Sequence, residues 1–306
     1  MRFLFIRGVL WPVFSRHTLI GVNMGPTTTH FPNIHYGSVS RIDTTPFLQL
    51  FYISSNIMAF KGKTAIITGG LGGIGYATAE CFLRNGISGL AILDIAKCDA
   101  KVETLQNNYK TSKIVFLSID VGDVEWVERV FQEIWTEFGK IDILVNGAGI
   151  LDEKDAEKCL RVNLLGVINT CQIAVKMMDK QMGGNAGIIL NISSMLGVKV
   201  KPGLPLYCAT KHGVVAFTRT MADGSYFEKY GIKFINICPS KTHTPMIDQL
   251  CKTLQVKSLD DLVDDKRPIQ SAEDCAKCII VIILSGENGS TWSISGGKIK
   301  RIFCDE

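Results

Sequence analysis

The 306-residue sequence lacks several features that define special classes of protein. It has only 9 prolines, and its 33 Lys and Arg residues barely outnumber its 29 Asp and Glu residues. A hydrophobic content of 46% excludes a disordered or fibrous chain. No run of Lys and Arg interleaves with aromatic residues, so nucleic-acid binding is not expected. The apolar runs are short, so we also expect no membrane span.

The ten cysteines do not form the pattern of a disulfide scaffold or a metal site. They are scattered through apolar segments, which predicts reduced and mostly buried thiols. Cys275 and Cys278 form a single C-x-x-C pair, and no second pair stands at a spacing suitable for zinc. We therefore expect no metal ion and a reducing compartment, the cytoplasm.

Residues 1–57 differ from the remainder of the chain. They contain four arginines, no lysine and a single acid, Asp43, without a clear helical or alternating pattern. Three interpretations stay open: a wrongly assigned start upstream of Met58, a basic mitochondrial targeting segment, or an arm that is disordered or binds a partner. Residues 58–306 are expected to form the globular domain.

From Met58 onward, short apolar runs alternate with helical patterns. The predicted strands are Thr64–Thr68, Leu90–Ile95, Ile114–Ile119, Ile141–Asn146, Gly187–Ser193, Ile232–Cys238 and Thr291–Ser295. The predicted helices are Ile74–Arg84, Asp123–Phe138, Glu157–Met178, Tyr207–Glu228 and Ala272–Leu284. This order predicts one α/β domain, a Rossmann-like, doubly wound parallel sheet of about seven strands with helices on both faces. The less regular segment 245–268 is a candidate substrate lid.

A glycine-rich segment follows the first predicted strand and opens a helix. Its glycines let the backbone turn tightly and approach a pyrophosphate, which the N-terminus of the helix attracts. Asp94 ends the second predicted strand, where its carboxylate can bond ribose hydroxyls and would repel a 2′-phosphate. The pattern therefore favours NAD over NADP. The expected contacts of this loop are Gly69, Leu71, Gly73, Ile74 and Gly75.

These motifs resemble those of the short-chain dehydrogenase/reductase family over essentially all of Met58–Glu306. The matching segments are Thr68–Gly75, Asp120–Val121, Asn146–Gly149, Asn163, Asn191–Ser194 and Tyr207–Lys211. Within the family, the last segment is similar to hydroxyprostaglandin dehydrogenases, and the segment from Asn146 is similar to insect-type alcohol dehydrogenases. Two positions depart from the family pattern. Gly147 stands where the family has Asn, and Ser240 replaces the Gly after Pro239, where it could crowd the cofactor.

The resemblance implies further contacts and partners. Asp120 and Val121 are expected to hold the adenine. The other cofactor-binding residues that it implies are Asn146, Ala148, Tyr207, Lys211, Pro239, Thr242 and Thr244. It also implies a homodimer or homotetramer packed through the helices Glu157–Met178 and Tyr207–Glu228.

Oxidation of an alcohol needs a base for the hydroxyl proton while the cofactor accepts a hydride. Tyr207 is the candidate base, and Lys211 stands four residues later on the same helix face. The charge of Lys211, together with that of the nicotinamide ring, is expected to lower the pKa of the phenol, and Lys211 is also expected to hold the nicotinamide ribose. Ser194 is expected to bond the substrate oxygen. Asn163 is expected to kink its helix and hold a water that carries the proton away. His212 occupies the next position, which faces away, and is predicted to be a surface or interface histidine.

Apolar residues flank the candidate catalytic residues and predict an apolar pocket. They are Ile150, Leu151, Leu196, Gly203–Leu206, Met246 and Ile247. The expected substrate is a hydrophobic secondary alcohol or its ketone, either a hydroxy lipid of prostaglandin-like type or a small alcohol. Lys199, Lys201 and Lys241 are available to pair with a carboxylate, although surface lysines are commonly solvated. The sequence leaves one alternative open, a non-catalytic dinucleotide-binding, lipid-binding or storage protein on the same fold.

Overall fold

The computed structural model describes residues 2–6, 9–13, 58–254 and 269–303, in two compact units, Met1–Asp43 and Thr44–Glu306. In the first unit, strands β1 (Arg2–Ile6) and β2 (Val9–Val13) pair antiparallel. The sequence predicts no element there, because neither run alternates polar and apolar residues and Pro12 disfavours a strand. The three interpretations of residues 1–57 stay predictions, and residues 14–57 lie outside the described part.

The second unit contains an eight-stranded sheet in the order β10-β9-β8-β7-β6-β3-β4-β5, parallel except for β10. Its strands are β3 (Thr64–Thr68), β4 (Gly89–Asp94), β5 (Lys113–Ser118), β6 (Ile143–Asn146), β7 (Gly187–Ile192), β8 (Ile232–Pro239), β9 (Thr291–Ser295) and β10 (Lys298–Ile302). The doubly wound α/β fold is therefore confirmed.

The helices follow the predicted alternation. They are α1 (Gly73–Arg84), α2 (Asp99–Asn108), α3 (Val124–Phe138), α4 (Ala156–Leu160), α5 (Gly166–Met178), α6 (Pro205–Met221), α7 (Gly224–Tyr230), α8 (Pro245–Leu254) and α9 (Ala272–Ser285). A π-helical turn, Arg161–Leu165, joins α4 to α5, and 3₁₀ turns cover Lys180–Met182 and Met195–Gly197. Among the described residues, no helix is long and apolar enough to cross a bilayer.

Four details differ from the predicted elements. Helix α2 was not predicted, since it buries only Val102 and Leu105 and so has a weak apolar stripe. Strand β10 was not predicted either, because its sequence KIKRI carries three cations, a composition typical of sheet edges. Part of the irregular segment is a helix, α8, while 255–268 lie outside the described residues. The predicted helix Tyr207–Glu228 is broken between α6 and α7.

The sheet is buried on both faces, which explains the unbroken apolar strands. In β3, Ala65 and Ile67 pack with α1 and α9, whereas Ile66 between them packs with α3, α5 and α6. Successive side chains of a strand point to opposite faces, so each strand supplies both cores.

The strand order reverses at β3. This strand pairs with β4 on one side and with β6 on the other, although β6 comes much later in the chain. At such a reversal the loops that leave the two central strands diverge and open a crevice at their carboxyl ends. The glycine-rich loop after β3 and residues 147–149, which follow β6, both lie at this crevice.

Candidate active site

A cavity of about 720 Å³ opens along the carboxyl ends of the parallel strands. Thirteen of the predicted cofactor-binding residues line it: Gly69, Gly73, Ile74, Gly75, Asp94, Asp120, Val121, Ala148, Tyr207, Lys211, Pro239, Thr242 and Thr244. Leu71 and Asn146 were predicted with them but do not line the cavity. The fold thus brings together segments that are up to about 180 residues apart.

The glycine-rich loop is shaped by contacts that exclude side chains. Gly69 has φ +66°, and a Cβ there would lie 2.8 Å from the backbone of Gly147 and Ala148. A Cβ on Gly75 would overlap the carbonyl oxygen of Gly69, and one on Gly73 would lie 2.7 Å from Thr244 Cγ2. The loop is therefore a bare backbone cradle at the start of α1. Such a cradle fits the pyrophosphate of a dinucleotide.

Asp94 is held at the end of β4 by two main-chain donors. Its Oδ2 accepts from Leu71 N at 3.0 Å, and its Oδ1 accepts from Ala96 N at 3.1 Å. Leu71 contributes through its main chain, because its side chain is buried in the core and its carbonyl accepts from Lys101 Nζ at 2.8 Å. The carboxylate is thereby fixed in the cavity wall, where the sequence predicts the ribose contact.

Asp120 lies farther along the same wall. Its Oδ1 accepts from Gly122 N at 2.9 Å, and its Oδ2 pairs with Arg161 Nη2 at 2.5 Å. Val121 is buried, and its carbonyl accepts from Asn169 Nδ2 at 3.0 Å. The carboxylate of Asp120 is thus already bonded within the protein, so an adenine contact there would share it with Arg161.

Asn146 belongs to a buried network behind the cavity. It donates to Asn191 Oδ1 at 2.9 Å and accepts from Thr170 Oγ1 at 2.8 Å, and Asn191 donates to Thr218 Oγ1 at 2.9 Å. We refer to Asn146, Asn191, Thr170 and Thr218 as the amide network. It joins the ends of β6 and β7 to helices α5 and α6, and so supports the two strands whose following loops carry much of the site.

Ser194, Tyr207 and Lys211 meet at the cavity. Ser194 lies close enough to the phenol of Tyr207 to act on its pKa, and Lys211 Nζ lies 5.7 Å from the centre of the Tyr207 ring. The Lys211 ammonium is buried and donates to the carbonyl of Ile192 at 3.0 Å, while its own carbonyl accepts from Ser193 Oγ at 2.8 Å. The end of β7 therefore fixes both ends of the lysine.

Burial governs the ionisation of this group. It raises the pKa of Tyr207 to about 12, and the hydrogen bond from Ser194 opposes that rise. Burial also lowers the pKa of Lys211 to about 8. The rise comes mainly from desolvation of the phenolate. The prediction that the charges of Lys211 and of bound nicotinamide together lower the pKa of Tyr207 stays a prediction.

Asn163 lies in the π-helical turn and is fully buried. Its Oδ1 accepts from Ile150 N at 2.7 Å, and its Nδ2 donates to Ile150 O at 2.8 Å and to Thr210 Oγ1 at 3.3 Å. The side chain therefore connects the cavity wall at Ile150 to α6. The predicted role in holding a water stays a prediction.

The two departures from the family pattern are explained differently. A Cβ at Gly147 would lie 2.9 Å from the carbonyl oxygen of Thr68, so this backbone favours glycine. Ser240 lines the cavity and donates from its N to Ile294 O at 2.8 Å. Its hydroxyl, however, is solvent-inaccessible and has no partner among the described residues. A group facing the open cavity would be accessible, so the hydroxyl does not crowd that space.

The substrate side of the cavity is largely apolar. Most of the predicted residues line it: Ile150, Leu151, Leu196, Gly203, Leu204, Met246 and Ile247. Lys201 and Lys241 also line it, whereas Lys199, Pro205 and Leu206 do not. The sequence reasoning missed Lys158, Val162, Met195 and Pro202, which carry no motif.

Two further predictions concern residues outside the cavity. His212 does not line it, and His212 Nδ1 lies 2.8 Å from the carbonyl of Cys208. Cys275 and Cys278 are buried free thiols. In the described part of the chain, no three His, Cys, Asp or Glu side chains are grouped to hold a metal ion.

Residues 63–255 match the family model described as short chain dehydrogenase. The chain belongs to this family, whose members are oxidoreductases that use NAD or NADP.

Several relatives span most of the domain. The chain is 29% identical to alcohol dehydrogenase 1 of Ceratitis cosyra over 248 residues, 80% of this chain and 96% of that protein. It is 37% identical to 15-hydroxyprostaglandin dehydrogenase (NAD(+)) of Mus musculus over 200 residues, 64% of this chain and 73% of that protein. Among solved structures, levodione reductase matches with a TM-score of 0.69 and 27% identity, over 78% of this chain and 98% of that one. ElxO with NADP bound matches with a TM-score of 0.67 and 30% identity, over 77% of this chain and 98% of that one.

Proposed function

We propose that this protein is an NAD-dependent dehydrogenase that oxidises a secondary alcohol to a ketone, with Tyr207 as the general base. The observation that carries the proposal is the meeting of Ser194, Tyr207 and Lys211 in one cavity with a bare glycine cradle. Each of these side chains has an ordinary structural explanation alone. Their convergence beside a crevice that can hold a dinucleotide favours a catalytic role over a purely structural one.

Each residue of the site would have a separate role in the oxidation of the alcohol. Ser194 would bond the substrate oxygen and orient its hydroxyl toward the phenol of Tyr207, which would take the proton. Lys211, with its pKa lowered to about 8, remains largely protonated at neutral pH and supplies a positive charge near the ring. NAD, when bound, would supply the hydride acceptor and a second positive charge. Since burial is the main cause that raises the pKa of Tyr207 to about 12, the added positive charge of NAD is what the phenol needs to act as a base.

The choice of NAD is proposed from Asp94. Its carboxylate is fixed by Leu71 N and Ala96 N in the cavity wall, and a negative charge there opposes a 2′-phosphate. The mouse relative is named for NAD, whereas ElxO is described with NADP bound. The family alone therefore does not decide the cofactor, and Asp94 supports NAD.

The substrate is proposed to be an apolar secondary alcohol. The wall that adjoins Ser194 and Tyr207 includes Ile150, Leu151 and Leu204, which would exclude water and pack against hydrocarbon. A hydroxy lipid of prostaglandin-like type fits this wall, and a small alcohol would leave much of it uncovered.

The proposed activity is tested by following NADH formation with a panel of secondary alcohols that runs from small to long-chain hydroxy lipids. We expect turnover with NAD and higher kcat/KM for the longer substrates. Tyr207→Phe should lose about 10²–10⁴ in turnover while still binding NADH. Full activity of that variant would refute the mechanism. Binding of NAD without turnover on any alcohol would instead favour a non-catalytic binding protein.

The predicted oligomer and compartment are also proposals. Leu160 and Leu165 are 45% and 44% exposed beside the π-helical turn, on the helix expected to form an interface. We propose a homodimer or homotetramer through this face, which light scattering on Leu165→Glu tests by loss of the assembly. The described cysteines are free, which agrees with the cytoplasm as the proposed location.

A further inference from the structure

Helix α6, which carries Tyr207 and Lys211, begins without a cap of its own. Its N-cap residue is Leu204, whose side chain makes no capping hydrogen bond, and the first turn contains no acid. Helices need partners for the N–H groups of the first turn. Pro205 has no N–H, and Cys208 N already donates to Leu204 O at 3.0 Å. The unpaired donors are therefore those of Leu206 and Tyr207.

Glu153 supplies both missing acceptors from a distant part of the chain. Its Oε2 accepts from Leu206 N at 3.0 Å, and its Oε1 accepts from Tyr207 N at 2.8 Å. The carboxylate lies in the segment between β6 and α4, whose Ile150 and Leu151 line the cavity. It thus bonds the main chain of the proposed base directly, from a loop that also lines the cavity.

We infer that Glu153 is a positioning residue for Tyr207, holding the start of α6 and the cavity wall at the spacing that the reaction needs. This inference rests on the proposed dehydrogenase function. Asn163 joins the same loop, at Ile150, to the same helix, at Thr210, so the loop is fastened to α6 at two points. Loss of the Glu153 bonds would leave the first turn of α6 free to fray, and Tyr207 lies within that turn.

A carboxylate at this place also has an electrostatic effect. It offsets the positive end of the helix dipole and so disfavours the phenolate of Tyr207. The titratable groups that act on the phenol or lie beside it include Lys211 and the thiols of Cys159, Cys208 and Cys238, and Lys158 also lines the cavity. Because none of these changes when Glu153 is replaced by Gln, a shift in the pH profile of that variant reports the charge of Glu153.

The test compares Glu153→Ala and Glu153→Gln with Glu157→Ala in the full-length protein. Glu157 is an exposed glutamate on α4 for which the described structure records no side-chain bond to α6, so it is a matched control. We expect Glu153→Ala to lower kcat by about tenfold to a hundredfold, with the KM for NAD unchanged within about twofold. Glu153→Gln should lose less, and the pH at which its activity rises should move down by about half a unit.

Hydrogen exchange at the amides of Leu206 and Tyr207 gives a readout that needs no activity. Both amides should exchange faster in Glu153→Ala than in the native protein and in Glu157→Ala, which supports the inference even if Glu153→Ala is too unstable for kinetics. If kcat of folded Glu153→Ala equals that of Glu157→Ala, or if the two amides exchange at native rates, the inference is overturned. Absence of alcohol oxidation by the native protein would instead refute the proposed function, and the exchange experiment would still decide whether Glu153 holds the helix.

Discussion

Lys211 carries a buried charge in the proposed active site, and the effect of that charge on stability can be worked out to order of magnitude. Its side chain belongs to a residue only 4% exposed, and burial lowers its pKa from 10.5 to about 8. Between these two pKa values the Lys211 side chain binds more protons in the unfolded chain than in the folded one. Its contribution to the free energy of unfolding is therefore unfavourable at low pH, and this destabilisation decreases as the pH rises. The free-energy cost is about 3 kcal/mol at pH 7 and about 1 kcal/mol at pH 9.5.

Replacing Lys211 by Met removes this pH dependence and keeps most of the apolar stem. The variant also leaves the Ile192 carbonyl without its 3.0 Å donor, at a cost of about 1–3 kcal/mol that does not vary with pH. We therefore expect the native protein to gain about 2 kcal/mol of unfolding free energy relative to Lys211→Met between pH 7 and pH 9.5. The variant should also lose alcohol oxidation.

Urea unfolding of both proteins at intervals from pH 7 to pH 9.5 measures this difference. Tyr207 and the buried thiols titrate in both proteins, so their contributions cancel in the comparison to first order. Lys199→Met, at an exposed lysine away from the cavity, should track the native protein at every pH. A free-energy difference between native protein and Lys211→Met that stays constant with pH would refute the argument that the ammonium is destabilised by burial.

Three further predictions follow from the cavity. Asp94→Ala should raise the ratio of kcat/KM with NADP to kcat/KM with NAD by about tenfold or more, because the variant removes a negative charge that repels the 2′-phosphate. An unchanged ratio would contradict the role of Asp94. Gly75→Ala should weaken NADH binding at least about tenfold, measured by fluorescence titration, because the new Cβ would overlap the carbonyl oxygen of Gly69. An affinity equal to that of the native protein would show that the loop can rearrange to accept the Cβ. Asn163→Ala should lower the free energy of unfolding by about 2–4 kcal/mol, measured by urea unfolding, because the variant leaves both main-chain groups of Ile150 unpaired. A loss below about 1 kcal/mol would show that water takes the place of the amide.

The parts of the molecule that obey local periodicity were predictable. The predicted strand Thr64–Thr68 agrees with β3 to the residue, because a strand buried on both faces is a compact apolar run bounded by polar residues and glycine. The glycine cradle was predictable for a similar reason, since only glycine allows the approach of Gly69 to the backbone of Gly147 and Ala148.

Features set by distant contacts could not be predicted. Glu153 stands in a loop with no motif, and its partners lie more than fifty residues later in the chain, so only the fold shows that it caps α6. The pKa of Tyr207 in the protein alone could not be predicted, because spacing shows that an ammonium is near but does not show how much water the phenol loses. Strand β10 was missed because an edge strand needs only one apolar face and tolerates the cations of KIKRI.

The amide network has a consequence for how the sheet assembles. Asn146 and Asn191 face each other across β6 and β7, and their side chains can bond only when the two strands are aligned as observed. A slip of either strand by one residue would turn its amide to the opposite face. The bond between Asn146 and Asn191 would then be lost, together with the bond of the displaced amide to Thr170 or Thr218, and polar groups would be left unpaired in an apolar interior. Hydrophobic strands such as ILVN and GIILNI could otherwise pair in several alignments at similar energy. The four polar residues of the amide network therefore raise the free energy of misaligned sheets. They favour the one strand alignment in which the loops of the proposed site converge.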